Sequence, residues 1–139
     1  MLLNEVLTNS LPYDITCDDK DQFMAQFRVG GLLYEVECHF IKEILDGTDA
    51  WTIEFGILSD DDSDFRETKK TNTGNQFAVF SSVISVIQRF ITEYNPKTLM
   101  FSATEPNRKK LYLRLVDTLF ATNWDVSHVH SCIVLTRKE

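Results

Sequence analysis

One helical repeat constrains this chain more than any other feature. Phe77, Phe80, Val83, Ile84, Ile87, Phe90, Ile91 and Tyr94 recur every three or four positions, the spacing that lines one face of a helix. Ser81, Ser82, Ser85, Arg89, Thr92 and Glu93 fill the opposite side. Thr73 and Gln76 form a capping box at its start, where hydroxyl and amide satisfy orphan backbone N–H groups reciprocally. Asn95-Pro96 ends it, because proline cannot continue the ladder. A stripe this apolar must be buried against a second layer, so the segments on either side decide the fold.

Those segments read mostly as strands. Residues 23–29 are strand-like, and Gly30-Gly31 is a hairpin signal because both glycines tolerate positive φ. Residues 32–41 alternate, with Tyr34, Val36, Cys38 and Phe40 on one side and Glu35, Glu37 and His39 on the other. Asp46-Gly47 begins a second turn, and residues 51–58 form a third strand with Trp51, Ile53, Phe55 and Ile57 on one face. Residues 59–70 make a polar connection of a length that is often functional. Beyond the helix, residues 98–103 predict a short inner strand. Pro106 suits the first position of a second helix striped by Leu111, Leu115, Val116 and Leu119, with Asn123 closing it. Residues 125–136 read as one last strand.

The order is β-β-β-α-β-α-β. It predicts an α+β fold with a mixed sheet, in which the strand between the helices lies parallel to a neighbour. At 139 residues the chain fits one domain, divided into an N-terminal arm over 1–22 and a core over 23–139.

Charge narrows the function. The chain is 43% hydrophobic and 25% charged, which is ordinary for a folded domain. Its net charge is −7, but the two halves differ in sign. Residues 1–64 hold 15 acids and 3 bases, and residues 65–139 hold 6 acids and 11 bases. The overall sign argues against a nucleic-acid binder, which needs clustered Lys and Arg for phosphates. The asymmetry predicts an acidic face for a basic partner and a basic patch for an anion. No apolar run is long enough to span a membrane, and residues 1–6 show no basic segment of a secretory leader. Three cysteines without a C-x-x-C spacing fit free thiols in a reducing compartment.

The basic patch is Arg108, Lys109, Lys110 and Arg114, crowded at the start of the second helix. Cations there oppose the helix dipole, and a local fault of this kind marks a partner-binding surface. No metal is expected. His128, His130 and Cys132 alternate on what reads as one strand face, but no fourth ligand accompanies them. Asp60, Asp62 and Asp64 imitate the opening of a calcium loop, yet Phe65 stands where that loop needs glycine and Thr71 where it needs glutamate. There is no Ser-His-Asp constellation, Walker loop or Rossmann fingerprint.

The element order resembles the Gcn5-related N-acetyltransferase (GNAT) fold lacking its first two helices. Gly56 sits mid-strand where that family splays a strand around a bulge. The segment Thr71-Asn72-Thr73-Gly74-Asn75-Gln76 opens the long helix where the family carries Q/R-x-x-G-x-G/A, and Leu111-Tyr112 matches its Leu-Tyr pair. The resemblance implies acetyl-CoA held by the backbone of Thr73, Gly74, Asn75 and Gln76 at a helix N-terminus, with Tyr112 as general acid. Glu54, mid-strand opposite the apolar face, would be general base. Of the cradle motif the chain keeps Gly74, with Thr71 and Gln76 at the other positions, and Glu105 stands where the family has asparagine.

A second resemblance is closer in wording. TNTGNQFAVFSSVISVIQRFI and FSATEPNRKKLYLRL are similar to segments of a group of small tailed-bacteriophage proteins. These share a G-[ND]-x-x-x-V-F-x-x-V helix start and an F-S-A-x-E-P-[SN]-R-x-x-L-Y segment. The matching residues are Gly74, Asn75, Val79, Phe80 and Val83, then Phe101, Ser102, Ala103, Glu105, Pro106, Asn107, Arg108, Leu111 and Tyr112. The resemblances imply a phage accessory protein in the cytoplasm of an infected host or in the virion. On a degenerate GNAT-like scaffold it would act by protein binding without a cofactor, with a homo-oligomer left open. The alternative is an acetyl-CoA-dependent N-acetyltransferase.

Overall fold

The computed structural model describes residues 12–58, 65–66, 75–102, 106–120, 122–129 and 131–138. Along the chain run β1 (Asp14–Asp19), β2 (Gln22–Val29), β3 (Leu32–Leu45), β4 (Thr48–Leu58), β5 (Phe65–Arg66), α1 (Asn75–Tyr94), β6 (Thr98–Ser102), α2 (Pro106–Leu119), β7 (Trp124–Val129) and β8 (Cys132–Arg137). They form an α+β fold with one mixed sheet, ordered β1-β2-β3-β4-β6-β8-β7, and β5 pairs β4 off that path. Among the described strands only β4 and β6 pair in parallel, as the strand between the helices requires.

Tight two-residue hairpins set the register of the meander, and two of them turn through positive φ. Gly30 and Gly31 have φ of 59° and 82°, and Asp46 and Gly47 have 49° and 84°. Positive φ at both turn residues makes each a type I′ connection, whose twist matches that of the flanking strands. Nothing approaches within 4 Å of a Cβ built on Gly31 or Gly47, so backbone conformation and not space selects glycine there. Between Ile41 and Leu45 the β3–β4 register shifts. Glu43 there has φ of 56°, and its N–H donates to Asp49 Oδ1 at 2.8 Å. At the end of α1, Asn95 takes φ of 50° and its N–H reaches the Ile91 carbonyl at 2.9 Å, a left-handed cap before Pro96.

The core lies on one face of the sheet. Trp51 of β4 stacks edge-on with Phe90 of α1 at 4.9 Å, and Tyr112 of α2 packs on Phe101 at 4.8 Å and Phe55 at 6.1 Å. Trp51 and Phe55 share one face of β4, because side chains alternate along a strand. Both helices therefore cover the same side. The other face presents Gln22, Met24 and Gln26 of β2, Glu37 and His39 of β3, Thr52 and Glu54 of β4 and Met100 of β6, all at least partly exposed.

Several expectations need correction. The arm over 1–22 holds a strand, β1, whose three aspartates hid its weak alternation. Residues 125–136 are not one strand but a hairpin, since Val129 pairs with Cys132. His128 and Cys132 therefore lie on facing strands instead of along one face, and His130 lies outside the described residues. Ser81 and Ser82 are fully buried rather than solvent-facing. With Val79, Phe80, Val83 and Ile84 also buried, residues 79–84 of α1 are enclosed all round. Gly56 pairs with Glu35 in unbroken register, so β3 and β4 carry no bulge there.

Candidate functional site

The expected coenzyme site lies where β4 and β6 part. Their paired register runs from Trp51 opposite Leu99 to Ile53 opposite Phe101, while β4 continues to Leu58. Ile57 pairs with Tyr34 of β3 and also with Arg66 of β5. A strand has two hydrogen-bonding edges, so β5 must occupy the β6-side edge of β4 just beyond the divergence. The chain thus supplies its own partner to the backbone that the resemblance would offer to a coenzyme. Thr73 and Gly74 lie outside the described residues. Asn75 and Gln76 form the first residues of α1.

Glu54 and Tyr112 are not brought together on one side. Tyr112 is 0% exposed between Phe55 and Phe101. Glu54 is exposed on the face opposite the helices, since it alternates with the buried Ile53 and Phe55. The ladder places Glu54 directly opposite Glu37, a like-charge pair that opposes sheet pairing.

Around that pair the face opposite the helices carries a polar network. Glu35 is 6% exposed and accepts a hydrogen bond from Gln26 Nε2 at 3.0 Å. Burial raises its pKa, the Gln26 bond counteracts, and the neighbouring Glu37 charge adds to the rise. His39 Nε2 lies 3.1 Å from Glu37 Oε1, and Gln22 Nε2 lies 3.4 Å from His39 Nδ1. With the Gln22 amide donating to Nδ1, the ring proton sits on Nε2 and points to Glu37. Alternation along β3 already grouped Glu35, Glu37 and His39. The approach of Glu54 depends on register, which sequence alternation leaves open.

The basic patch divides. Arg108 and Lys109 belong to the first turn of α2. Lys110 and Arg114 are exposed four residues apart, on one helix face. The Arg114 guanidinium lies 4.5 Å from the centre of the Phe80 ring, so it covers the junction of the two helices and is not merely solvated. A cleft of about 750 Å³ lies at the other end of the sheet, with Phe40, Asp46, Asp49, Trp51, Tyr94 and Lys97 in its wall. Among the described residues no three His, Cys, Asp or Glu are grouped to hold a metal, and no helix is long and apolar enough to cross a membrane. The calcium-like run Asp60, Asp62 and Asp64 lies outside the described residues. Cys38 is buried, and burial pushes its thiol pKa far up, which leaves it a packing residue rather than a nucleophile.

A search of curated proteins finds no match for the chain. One family model matches residues 12–133, which spans all strands from β1 to β7 and both helices. The chain belongs to that family, DUF6934, a family of unknown function.

Proposed function

We propose that this chain is a small phage-encoded accessory protein that works by binding another protein, on a GNAT-like scaffold that no longer turns over acetyl-CoA. The scaffold reading draws support from the strand order and from the parallel pair of β4 and β6, flanked by an antiparallel meander and a terminal hairpin. The observation that carries the non-enzymatic reading is the placement of β5. It takes the edge of β4 at Ile57 and Leu58, where an extended ligand would need free backbone groups. The burial of Tyr112 and its separation from Glu54 across the sheet support the same conclusion. Protein binding is favoured by a surface of two signs: the Glu37–Glu54 pair on the face opposite the helices and Lys110 with Arg114 on α2.

The second reading, an N-acetyltransferase, rests on the segment opening α1 and on Leu111-Tyr112. Thermal unfolding with acetyl-CoA at about 1 mM separates the two, because a ligand bound only to the native state must raise the melting temperature. The binding reading expects no shift. A rise that disappears in Gly74→Glu reverses the ranking. Affinity capture from infected cells with tagged wild type and with Arg108→Glu/Lys110→Glu then tests the partner directly. A protein retained by the first and lost by the second is the expected result. Equal retention by both assigns the contact to another surface.

A further inference from the structure

We propose that the outer edge of β7 pairs antiparallel with β7 of a second copy of this chain, joining two sheets into one about a two-fold axis. The two edges of the sheet differ in kind.

β7 is the terminal strand. Its inner edge pairs with β8 in unbroken register from Trp124 opposite Arg137 to Val129 opposite Cys132. After Trp124 every side chain of β7 is exposed. No other described strand pairs with its outer edge; a regular, unpaired edge is a template for another strand, and sheets that must stay alone blunt it with bulges, proline or charge. The opposite edge is blunted in that way. β1 carries a register shift between Ile15 and Cys17 and three aspartates, Asp14, Asp18 and Asp19. β7 has no shift, proline, lysine or arginine. Val126, 44% exposed, and Val129, 39% exposed, are two of the four exposed large hydrophobics among the described residues.

A second copy fits this edge better than it fits the rest of the surface. Each copy carries −7, so two copies meet at least cost where charge is low. The only formal charge on β7 is Asp125, and Lys138 lies 4.0 Å from it. Antiparallel self-pairing is isologous and closes at two chains, so it does not propagate into a fibre. The axis stands perpendicular to the sheet and keeps each face on its own side. Centred on Val126, it sets that residue against its own counterpart and Asp125 against the counterpart of Ser127. A strand of this length spans about 20 Å, and a strand pair alone buries less than the roughly 1,200 Å² of a standard stable interface. The dimer is therefore weak and dependent on concentration.

Sedimentation velocity from about 5 to about 500 µM, a range that brackets weak association, together with amide hydrogen exchange at both limits, tests this. The expected result is a shift from monomer to dimer mass. Alternate amides of residues 124–129 should exchange rapidly when dilute and become protected when concentrated. Val126→Lys/Val129→Lys, with its fold checked by thermal unfolding, should stay monomeric throughout, because edge lysines block strand addition. Monomer mass across the whole range overturns the proposal, as does a dimer that leaves the β7 amides unprotected. If the lysine variant does not fold, exchange in the unaltered chain decides alone.

Discussion

Tyr94 of α1 directs its phenolic O–H at a carboxylate oxygen of Asp18, 76 residues earlier in the chain. The Asp19 carbonyl lies 2.8 Å from the same hydroxyl. The ring is held between Trp51 at 5.3 Å, Phe90 at 5.2 Å and Phe23 at 5.6 Å. One side chain thus fastens the end of the main helix to the edge strand β1. Tyr94→Phe keeps the ring and removes the O–H, leaving the exposed Asp18 to water. The expected cost is about 0.5–1.5 kcal/mol, typical of one net hydrogen bond, with faster amide exchange in β1.

The same contact has a pH signature. Burial first, and then the Asp18 bond and charge, push the Tyr94 pKa above its ordinary value. A group whose folded pKa is raised contributes stability that is complete below the unfolded value, about 10 for tyrosine, and is lost as pH rises through the folded one. Melting temperature followed from pH 8 upward should fall less steeply in Tyr94→Phe than in wild type. Parallel alkaline limbs would refute the assignment.

Glu35 makes the opposite use of the same sign. Its folded pKa is raised chiefly by burial, so the carboxylate opposes folding once ionised, and stability falls as pH rises through that value. Glu35→Gln should be more stable than wild type at neutral pH, and the advantage should vanish below about pH 4, where the unfolded carboxyl is also protonated. Relieving the like-charge pair by Glu54→Gln should add about 0.2–1 kcal/mol. Denaturant titrations at pH 7 and at low pH check both. A destabilised Glu54→Gln would mean that the carboxylate is held by a cation.

Phe80 tests the layer packing. It is 2% exposed at the contact between α1 and the Arg114 guanidinium of α2. Phe80→Ala should cost about 3–5 kcal/mol by lost transfer energy and the cavity left behind. A loss under about 0.5 kcal/mol, the range of surface substitutions, would place the residue outside the core.

The basic patch should separate stability from association. Neutralising Arg108 or Lys109 removes a cation from the first turn of α2 and should be neutral or stabilising by about 0.3–1 kcal/mol per site. Arg114→Ala should instead destabilise by about 0.5–1 kcal/mol, the worth of an exposed cation–π contact. Arg108→Glu/Lys110→Glu should slow partner association and remove its salt dependence, as charges that steer encounter do. Unfolding of that double variant would make the patch structural.

Local chemistry alone determined most elements of this protein. The stripe from Phe80 to Tyr94 had to become a buried helix. Gly30-Gly31 and Asp46-Gly47 had to turn, because positive φ is cheap for these residues. Parallel pairing of β6 followed from the helix before it, since a crossover returns the chain in the same direction. Proline and asparagine told where α1 stops, because neither effect needs a distant partner.

What the sequence left open depends on neighbours that are remote along the chain. The strand pattern of β1 is weak because its stability comes from pairing with β2 and from Tyr94, not from its own alternation. The turn between Val129 and Cys132 was invisible because a continuous polar–apolar pattern runs through a hairpin as easily as along a strand. Ser81 and Ser82 read as solvent-facing by helical period, but the enclosure of α1 buries them. The candidate site was decided in the same way. Only register sets Glu54 against Glu37, only the sheet separates Glu54 from Tyr112, and only tertiary pairing puts β5 on the edge of β4 that a ligand would use. Residue types fix what chemistry is available, but pairing and burial fix which groups meet, because those contacts form only when the whole sheet is assembled.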